Sequence, residues 1–194
     1  MSIIVNSPKA KRCEITHGMI KICVSGAAQT EECGESAFSK ALALGREIAH
    51  NNAVVVDGIT TGFPLWVARG AKEAGGITIG MSPASNDREH RGIYNLPCEF
   101  HDLIVYTGFG YAGRNLLMTQ SSDAVIIGCG RIGTFNEFTI AFESKKPIGI
   151  LEGEWATDDI VKRIIASAHR GGGNIVFSSD PKELVSKVIE MICE

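Results

Sequence analysis

The sequence predicts an α/β fold with a doubly wound, largely parallel sheet of about seven strands, and three observations support this fold class. Short apolar runs alternate with longer amphipathic segments, which is the pattern of successive strand–helix–strand units. Most of the 22 glycines fall between these runs, where the backbone must turn tightly. The chain has 194 residues, of which 44% are hydrophobic and 21% charged, as is ordinary for one globular domain.

The first half of the chain supplies three predicted strands, each a short apolar run. The strands span residues 19–25, 54–56 and 77–81, and the helices between them span residues 36–49 and 61–74. Pro64 suits the first turn of the second helix, where a backbone N–H has no helical partner, and Gly75 can end that helix. Residues 84–98 are predicted to form a long polar loop, which in a compact domain is usually functional or mobile.

The second half continues the same alternation. The predicted strands span residues 103–106, 124–127, 147–151 and 174–177, and the predicted helices span residues 114–121, 134–144 and 158–169. A last helix is predicted after Asp180, since an Asp that can cap, Pro181 and then Glu183 together have the form of a helix start. No internal repeat or linker divides the chain, so residues 19–194 are predicted to form one domain after an N-terminal tail of residues 1–18.

Charge and hydropathy narrow the classes of partner. The 19 basic and 22 acidic residues give a formal net charge of −3, without a long run of Lys or Arg. Nucleic acid is therefore not expected as a partner, because it is bound by clustered cations. No apolar stretch reaches the length of a membrane span, and the N-terminus has no signal-peptide core. These features predict a cytoplasmic protein without a membrane partner.

Six cysteines are spread through the chain: Cys13, Cys23, Cys33, Cys98, Cys129 and Cys193. None of them forms a Cys-x-x-Cys pair or lies at zinc-ligand spacing from a His, so no metal site is expected. The pattern fits free thiols in a reducing compartment. Cys23 lies in an apolar run and is expected to be a small core residue.

Three Gly-rich turns follow predicted strands, at residues 25–28, 57–62 and 128–134. Ligands of open parallel sheets bind beyond the carboxyl ends of the strands, and a helix that follows such a turn directs free N–H groups there, which suits phosphate. The candidate ligand-binding residues are Gly26, Gly58, Gly62, Gly128, Gly130, Arg131, Gly133 and Thr134. A purely structural role for these turns stays open, since any strand-to-helix connection needs a turn.

None of the turns matches the Gly-x-Gly-x-x-Gly dinucleotide fingerprint or the P-loop with its Lys, which argues against NAD and ordinary ATPase functions. Residues 130–137, Gly-Arg-Ile-Gly-Thr-Phe-Asn-Glu, instead resemble the Pro-Gly-Gly-x-Gly-Thr-x-x-Glu signature of the cytokinin-activating Lonely Guy (LOG) proteins. Residues 114–118, Arg-Asn-Leu-Leu-Met, resemble that family's Arg-Lys-x-x-Met element. The resemblance covers roughly residues 20–151 and points to a shorter Rossmann-like branch that includes the molybdenum cofactor carrier protein.

The resemblance implies a Rossmann-like fold, a phosphate held at Gly130, Gly133 and Thr134, and a homodimer or higher homo-oligomer. LOG enzymes hydrolyse the N-glycosidic bond of nucleoside 5′-monophosphates. In such a reaction Arg114 and Glu137 would be the catalytic residues at the ribose, because a developing oxocarbenium ion is stabilised by a nearby carboxylate. Some relatives are labelled lysine decarboxylases, but the chain has no Ser-x-His-Lys sequence that would suit a pyridoxal phosphate Schiff base.

The chain departs from the family pattern at several positions. Cys129 replaces the Pro, Arg131 replaces the second Gly, and Asn115 replaces the Lys, and residues 106–113 lack the acidic residue and His that usually precede the Arg. Phosphate binding should survive these changes better than catalysis. The first functional hypothesis is therefore a binding protein for a phosphate-bearing nucleotide or a molybdopterin-type cofactor, akin to a molybdenum cofactor carrier. The second is a LOG-type phosphoribohydrolase, and the third is a nucleotide-sensing module.

Several residues have a structural alternative to a functional role. The spacing Thr134-x-x-Glu137 is also that of a capping box, in which both side chains accept hydrogen bonds from backbone N–H groups at the helix start. Asp57 can bind a ribose hydroxyl or begin a turn, and Arg114 can contact a ligand or lie on a helix surface. The five histidines are dispersed and are expected in loops or on the surface rather than as bases or metal ligands.

Overall fold

Seven strands and seven helices alternate along residues 18–193, the part of the chain that this computed structural model describes. The strands are β1 (Lys21–Ser25), β2 (Val54–Asp57), β3 (Thr78–Ser82), β4 (Leu103–Tyr106), β5 (Ala124–Ile127), β6 (Ile148–Leu151) and β7 (Ile175–Ser178). The helices are α1 (Ala37–His50), α2 (Phe63–Glu73), α3 (Asp87–Gly92), α4 (Gly110–Ser121), α5 (Ile132–Glu143), α6 (Thr157–Ala168) and α7 (Pro181–Ile192).

The seven strands form one sheet in the order β4-β3-β2-β1-β5-β6-β7, and every neighbouring pair is parallel. The predicted fold class is confirmed. The first described strand, β1, lies in the middle of the sheet. Strands β2, β3 and β4 follow on one side of it, and β5, β6 and β7 follow on the other side. The connections after β1 and β5 therefore lead away in opposite directions, which opens a crevice at the carboxyl ends of the central strands.

Helices cover both faces of the sheet, so successive residues of a central strand enter different cores. In β1, Ile22 and Val24 pack with the cluster that contains Leu44 of α1, whereas Cys23 packs with the cluster that contains Phe138 of α5. All three β1 residues are at most 1% exposed, which explains why the strand is a continuous apolar run. The expectation that Cys23 is a core residue is confirmed.

The two helices α1 and α2 cross with their backbones in close contact because each carries a glycine at the crossing. A Cβ atom on Gly45 would collide with the carbonyl oxygen of Val67, and one on Gly70 would collide with the carbonyl oxygen of Leu42. Neither oxygen belongs to a flexible side chain that could move aside. The crossing thus fixes α2, whose first turn lies below the crevice.

The region 84–98 is not an unbroken loop, because it contains the short helix α3. Asn86 caps this helix by accepting a hydrogen bond from the backbone N–H of Glu89 at 2.9 Å. The prediction of a capping Asp180 is confirmed, since its side chain accepts from the N–H of Lys182 at 2.9 Å. Helix α4 begins at Gly110, four residues earlier than predicted. The predicted tail of residues 1–18 lies, except for Gly18, outside the described residues.

The expectation of free thiols is wrong for Cys33 and Cys129, which form a disulfide with a Cα–Cα distance of 5.5 Å. The two residues are 96 positions apart, so only the tertiary fold brings them together. Cys193 is also disulfide-bonded, whereas Cys23 and Cys98 are free. The argument for a reducing compartment from free thiols therefore fails. Between residues 18 and 193, no helix is both long enough and apolar enough to span a bilayer.

Replacing Gly70 with Ala should lower the free energy of unfolding by about 3 kcal/mol, because the new methyl group would push apart two packed backbones. Urea unfolding followed by circular dichroism measures this change. Gly92→Ala is the matched control, since a Cβ at Gly92 meets nothing within 4 Å. Equal stability of the two variants would show that α1 and α2 can separate freely, contrary to this packing.

Candidate functional site

A cleft of about 480 Å³ lies at the carboxyl ends of the central strands. Its walls come from the segments that follow β1 and β2, from α4 and α5, and from the connection after α3. The lining residues fall within the ranges 24–29, 58–64, 94–96, 111–118 and 131–137 but do not fill them. This position is the topological switch point between β1 and β5, where open α/β sheets bind their ligands. The volume lies within the range of pockets that hold small molecules.

The structure brings most of the predicted site residues to this cleft. Seven of the ten candidates line it: Gly26, Gly58, Arg114, Arg131, Gly133, Thr134 and Glu137. The other three, Gly62, Gly128 and Gly130, are not part of the lining. The cleft thus brings together residues from all three predicted turns, from α4 with Arg114 and from α5 with Glu137. These residues are up to 111 positions apart in sequence.

The three glycines outside the lining allow the turns to pack closely. A Cβ on Gly128 would collide with the ring of Phe63, the first residue of α2, and one on Gly130 would collide with the side chain of Thr134. Gly62 has a φ of +71°, and a Cβ there would collide with the carbonyl oxygen of Ala27. The structure therefore gives these three residues a packing role beside the cleft.

Helix α5 begins at the cleft, with Arg131 as the residue before its first turn and without a side-chain cap. Gly133 and Thr134 lie in that first turn, where backbone N–H groups have no partner within the helix and the positive end of the helix dipole favours an anion. Arg131 itself donates a hydrogen bond to the side chain of Gln29 across the cleft mouth. The start of α5 therefore has the chemistry of an anion site.

The capping-box alternative for Thr134 and Glu137 is wrong, because the helix begins before Thr134 and Glu137 lies in its second turn. Glu137 instead accepts a hydrogen bond from the hydroxyl of Ser25 at the end of β1. Glu137 is 6% exposed and Ser25 is 1% exposed. The carboxyl group is thus held between the first strand and α5, against the inner wall of the cleft.

Burial raises the pKa of Glu137 to about 7. The positive charge of Arg114 and the hydrogen bond from Ser25 oppose this rise in pKa, whereas the negative charge of Asp57 adds to it. A carboxyl group with a pKa near neutrality can donate or accept a proton at physiological pH. Such perturbed groups are concentrated at functional sites.

Arg114 lies in α4 with only 5% of its surface exposed, and its Nε atom is buried without a hydrogen-bond partner. Its guanidinium carbon is 5.7 Å from the ring centroid of Tyr111. The guanidinium fits there because Gly58 has no side chain: a Cβ on Gly58 would collide with Nη1 of Arg114. The surface-charge alternative for Arg114 is therefore wrong.

Sequence reasoning missed part of the lining. Ser25, Tyr94, Tyr111 and Asn115 all face the cleft. Asn115 is 5% exposed and donates from Nδ2 to Oδ1 of Asn136 at 3.1 Å, whereas its own Oδ1 is buried without a partner. Asn115 occupies the position where the family pattern has Lys. This departure from the pattern was the feature of the sequence that could have identified Asn115 as a cleft residue. Tyr94 lies in the region 84–98, where no pattern distinguished it.

The expectation that the histidines lie in loops or on the surface is wrong for His90, which is buried in α3, whereas His101 lies in the loop before β4 as expected. The side chain of His101 is fully buried, with Nε2 at 2.9 Å from Oδ1 of Asp57 and Nδ1 at 2.8 Å from the carbonyl oxygen of Glu99. Burial alone lowers the pKa of His101, but the charge and the hydrogen bond of Asp57 outweigh it and raise the pKa. His90 is also buried and lies at 2.8 Å from the hydroxyl of Ser82.

Asp57 has a structural role, in agreement with the turn alternative. Its Oδ1 accepts from the N–H of Ile59 at 2.6 Å as well as facing His101, and Asp57 is not part of the cleft lining. The His101–Asp57 pair joins the segment before β4 to the turn after β2, and both segments contribute residues to the cleft. In the described part of the chain, no cluster of three His, Cys, Asp or Glu residues could hold a metal ion.

Three comparisons relate this chain to known proteins. A family model described as the SLOG cluster4 family matches residues 19–185. An uncharacterized protein from Archaeoglobus fulgidus is 31% identical over 133 residues, which cover 69% of this chain and 82% of that protein. The structure of the molybdenum cofactor binding protein from the phototrophic bacterium Rippkaea orientalis matches with a TM-score of 0.75 and 26% identity, covering 90% of this chain and 98% of that one.

The molybdenum cofactor carrier protein from Chlamydomonas reinhardtii has a TM-score of 0.74 and 24% identity over 91% of this chain and 100% of that one. At this identity the match shows the fold alone. The two structures agree with the seven-stranded Rossmann-like sheet described above.

The raised pKa of Glu137 makes the stability of the fold depend on pH. The folded state holds this proton more tightly than the unfolded state, so the stabilisation is complete below pH 4.5 and is lost as the pH rises towards 7. The loss should be roughly 3 kcal/mol, since a tenfold change in proton affinity corresponds to about 1.4 kcal/mol. Urea unfolding between pH 4 and about 8 measures it.

Glu137→Gln should remove this decline and be more stable than the original protein above pH 7. Glu143→Gln, an exposed carboxyl on the same helix, is the control and should follow the original pH profile. Parallel profiles for all three proteins would mean that Glu137 ionises as an ordinary carboxyl group.

Proposed function

The chain belongs to the SLOG cluster4 family, and from this premise we propose that its cleft binds a small molecule with a phosphate group and a planar ring. A nucleoside 5′-monophosphate and a molybdopterin-type cofactor both have this chemistry. The observation that carries the proposal is the meeting of an uncapped helix start, two arginines and two tyrosines in one cleft. We also propose, on the resemblance alone, that the protein self-associates, and we keep the cytoplasmic location that charge and hydropathy predict.

The phosphate is assigned to the start of α5. Free N–H groups of the first turn and the helix dipole favour a negative group there, and Gly133 leaves the backbone accessible because a Cβ at this position would meet nothing within 4 Å. Arg131 adds a positive charge at the same helix start. Its guanidinium is exposed and is held by a neutral partner, Gln29, so it remains free to pair with a phosphate oxygen.

The planar ring is assigned to the part of the cleft with Tyr94 and Tyr111. Their rings pack edge to face with centroids 5.4 Å apart, and Leu96 and Met118 supply further apolar wall. Aromatic faces suit a heterocyclic ring, and the buried polar atoms of Arg114 and Asn115 beside them suit its nitrogen and oxygen edge.

A molybdopterin-type cofactor fits this set of residues as well as a nucleotide does, because it combines a planar ring with a phosphate. The Rippkaea orientalis structure, by its description a molybdenum cofactor binding protein, supports this ligand class at 26% identity. Arg131 and the start of α5 would hold the phosphate of the cofactor, and the tyrosines would hold its ring. A carrier role requires only that the ligand is retained.

A phosphoribohydrolase is the second candidate function, and the position of Glu137 favours it. A buried carboxyl with a pKa of about 7 lies in the same cleft as Arg114, so a proton donor or acceptor and a cation are both available beside a bound nucleotide. The replacement of Lys by Asn115 removes a charge that the family pattern supplies. Retention of a ligand is therefore the first proposal and hydrolysis the alternative.

Replacement of Arg131 or Arg114 by Gln should weaken binding of AMP by about tenfold to a hundredfold, since a hydrogen bond to a charged group contributes roughly 1.5–3 kcal/mol. Isothermal titration with AMP, ribose 5-phosphate and inorganic phosphate measures the affinity, and each variant is checked for folding by circular dichroism. Arg170→Gln is the control, because Arg170 lies on the surface and pairs with Glu143. Affinities that are the same in all four proteins would exclude this cleft as the phosphate site.

Incubation with nucleoside 5′-monophosphates, followed by chromatography of the free base, separates the two candidate functions. A carrier retains the nucleotide without releasing base. A hydrolase releases base, and Glu137→Gln should abolish the release while keeping the affinity within about threefold, since Gln still accepts the hydrogen bond from Ser25. Base release that persists in Glu137→Gln would assign the reaction to other residues.

A further inference from the structure

We propose that the Cys33–Cys129 disulfide is a redox-controlled latch on the cleft, which keeps the site in its binding geometry when oxidised and loosens it when reduced. This inference rests on the proposed function, because it concerns the regulation of the same site. It adds a control element that the binding chemistry alone does not require.

The disulfide joins two neighbouring segments, one after β1 and one after β5, and both segments supply residues to the cleft wall. Cys33 lies in the connection between β1 and α1, a few residues after Ala27, Ala28 and Gln29, which line the cleft. Cys129 lies in the turn between β5 and α5, two residues before Arg131. The covalent bond therefore fixes the distance between the loop after β1 and the start of the anion-binding helix.

The other ties between these two segments are noncovalent. The N–H of Ala27 donates to the carbonyl oxygen of Cys129 at 2.7 Å, and Arg131 donates to Gln29. The second of these is an exposed side-chain pair, which contributes little on its own because water competes for both groups. A ligand phosphate at Arg131 would also compete with Gln29. The disulfide is thus the covalent tie between the two segments, and besides it only the Ala27–Cys129 hydrogen bond, of the two named here, is left in place by a phosphate at Arg131.

The position of Cys33 allows the bond to open without disrupting the sheet. Residues 26–36 contain no strand or α-helix, and the residues on both sides of Cys33, such as Glu32 and Gly34, are exposed. Cys33 itself is buried, so a reductant reaches its sulfur by local opening of this surface connection. The pairing of β1 with β5 does not pass through the disulfide and remains in place.

The redox step is a thiol–disulfide exchange with a dithiol reductant. A thiolate of the reductant attacks Sγ of Cys33, the bond to Sγ of Cys129 breaks, and Cys129 leaves as a thiolate that takes up a proton. The second thiol of the reductant loses a proton and attacks the reductant's other sulfur, which is bonded to Sγ of Cys33 in the mixed disulfide. This attack releases Cys33 as a thiolate, which is then protonated. Two electrons pass to the protein, which gains two thiols, and the dithiol becomes a disulfide.

The experiment compares oxidised full-length protein with protein reduced by dithiothreitol, with AMP as the probe and isothermal titration as the measurement. Reduction should weaken AMP binding by at least about fivefold, the lower end of coupling between sites in proteins. Cys33→Ser should show the weaker affinity under both conditions. Cys98→Ser should behave like the original protein, because Cys98 is a free thiol outside the cleft lining.

A further control is needed because dithiothreitol also reduces the disulfide of Cys193. Cys193→Ser should retain both the tight oxidised affinity and its loss on reduction. If Cys193→Ser instead abolishes the redox response while Cys33→Ser keeps it, the latch is assigned to the wrong bond and the proposal is overturned.

Hydrogen–deuterium exchange tests the latch without any ligand. Reduction should increase exchange in residues 26–36 and 128–134 and leave β1 and β5 protected. If reduction changes neither the hydrogen–deuterium exchange nor the affinity for AMP, the latch is overturned but the proposed function is not. If AMP binds in neither redox state, AMP binding is refuted, and the exchange measurement alone decides whether the latch exists. Loss of the circular dichroism spectrum on reduction would show a structural disulfide and also overturn the latch.

Discussion

The position of β1 between β2 and β5 is the constraint on which the rest of the structure depends. Parallel pairing on both sides forces the connections after β1 and β5 to lead to opposite halves of the sheet, so their first residues separate and leave a cleft. Because β1 is buried on both faces, its register is fixed, and Ser25 must lie at the cleft floor. The hydroxyl of Ser25 is then the group that meets Glu137 of α5.

Close packing turns this cleft into an environment of low polarity. Phe63 at the start of α2 packs against Gly26 and Gly128. It fits there only because these two residues have no side chains, since a Cβ atom at either position would collide with Phe63. The same absence of a side chain at Gly58 admits the guanidinium of Arg114 from α4. Glutamate and arginine are thereby brought together out of water, where each charge acts more strongly on the other than it would at the surface.

The sheet, most helices and seven of the residues that line the cleft could be predicted because they depend on local patterns: apolar runs, glycines after strands and the segment from Gly130 to Glu137. The His101–Asp57 pair and the Cys33–Cys129 bond could not, because their partners are 44 and 96 positions apart in sequence. The capping box illustrates a different difficulty. A capping box and the family signature both fitted Thr134 and Glu137, and only the start of α5 before Thr134 excludes the capping box.

The energetic consequences of burying Glu137 are opposite for folding and for binding. Desolvation raises the pKa of this carboxyl to about 7 and so weakens the fold at higher pH, where the charge must be kept out of water. The same shift leaves the group uncharged in a large fraction of molecules near neutral pH, whereas an ordinary glutamate would be ionised. An uncharged carboxyl would not repel the phosphate that is proposed to bind beside Arg114 and Arg131. If the cleft binds a phosphate as proposed, Glu137 places a proton donor or acceptor next to that phosphate, at the expense of some stability.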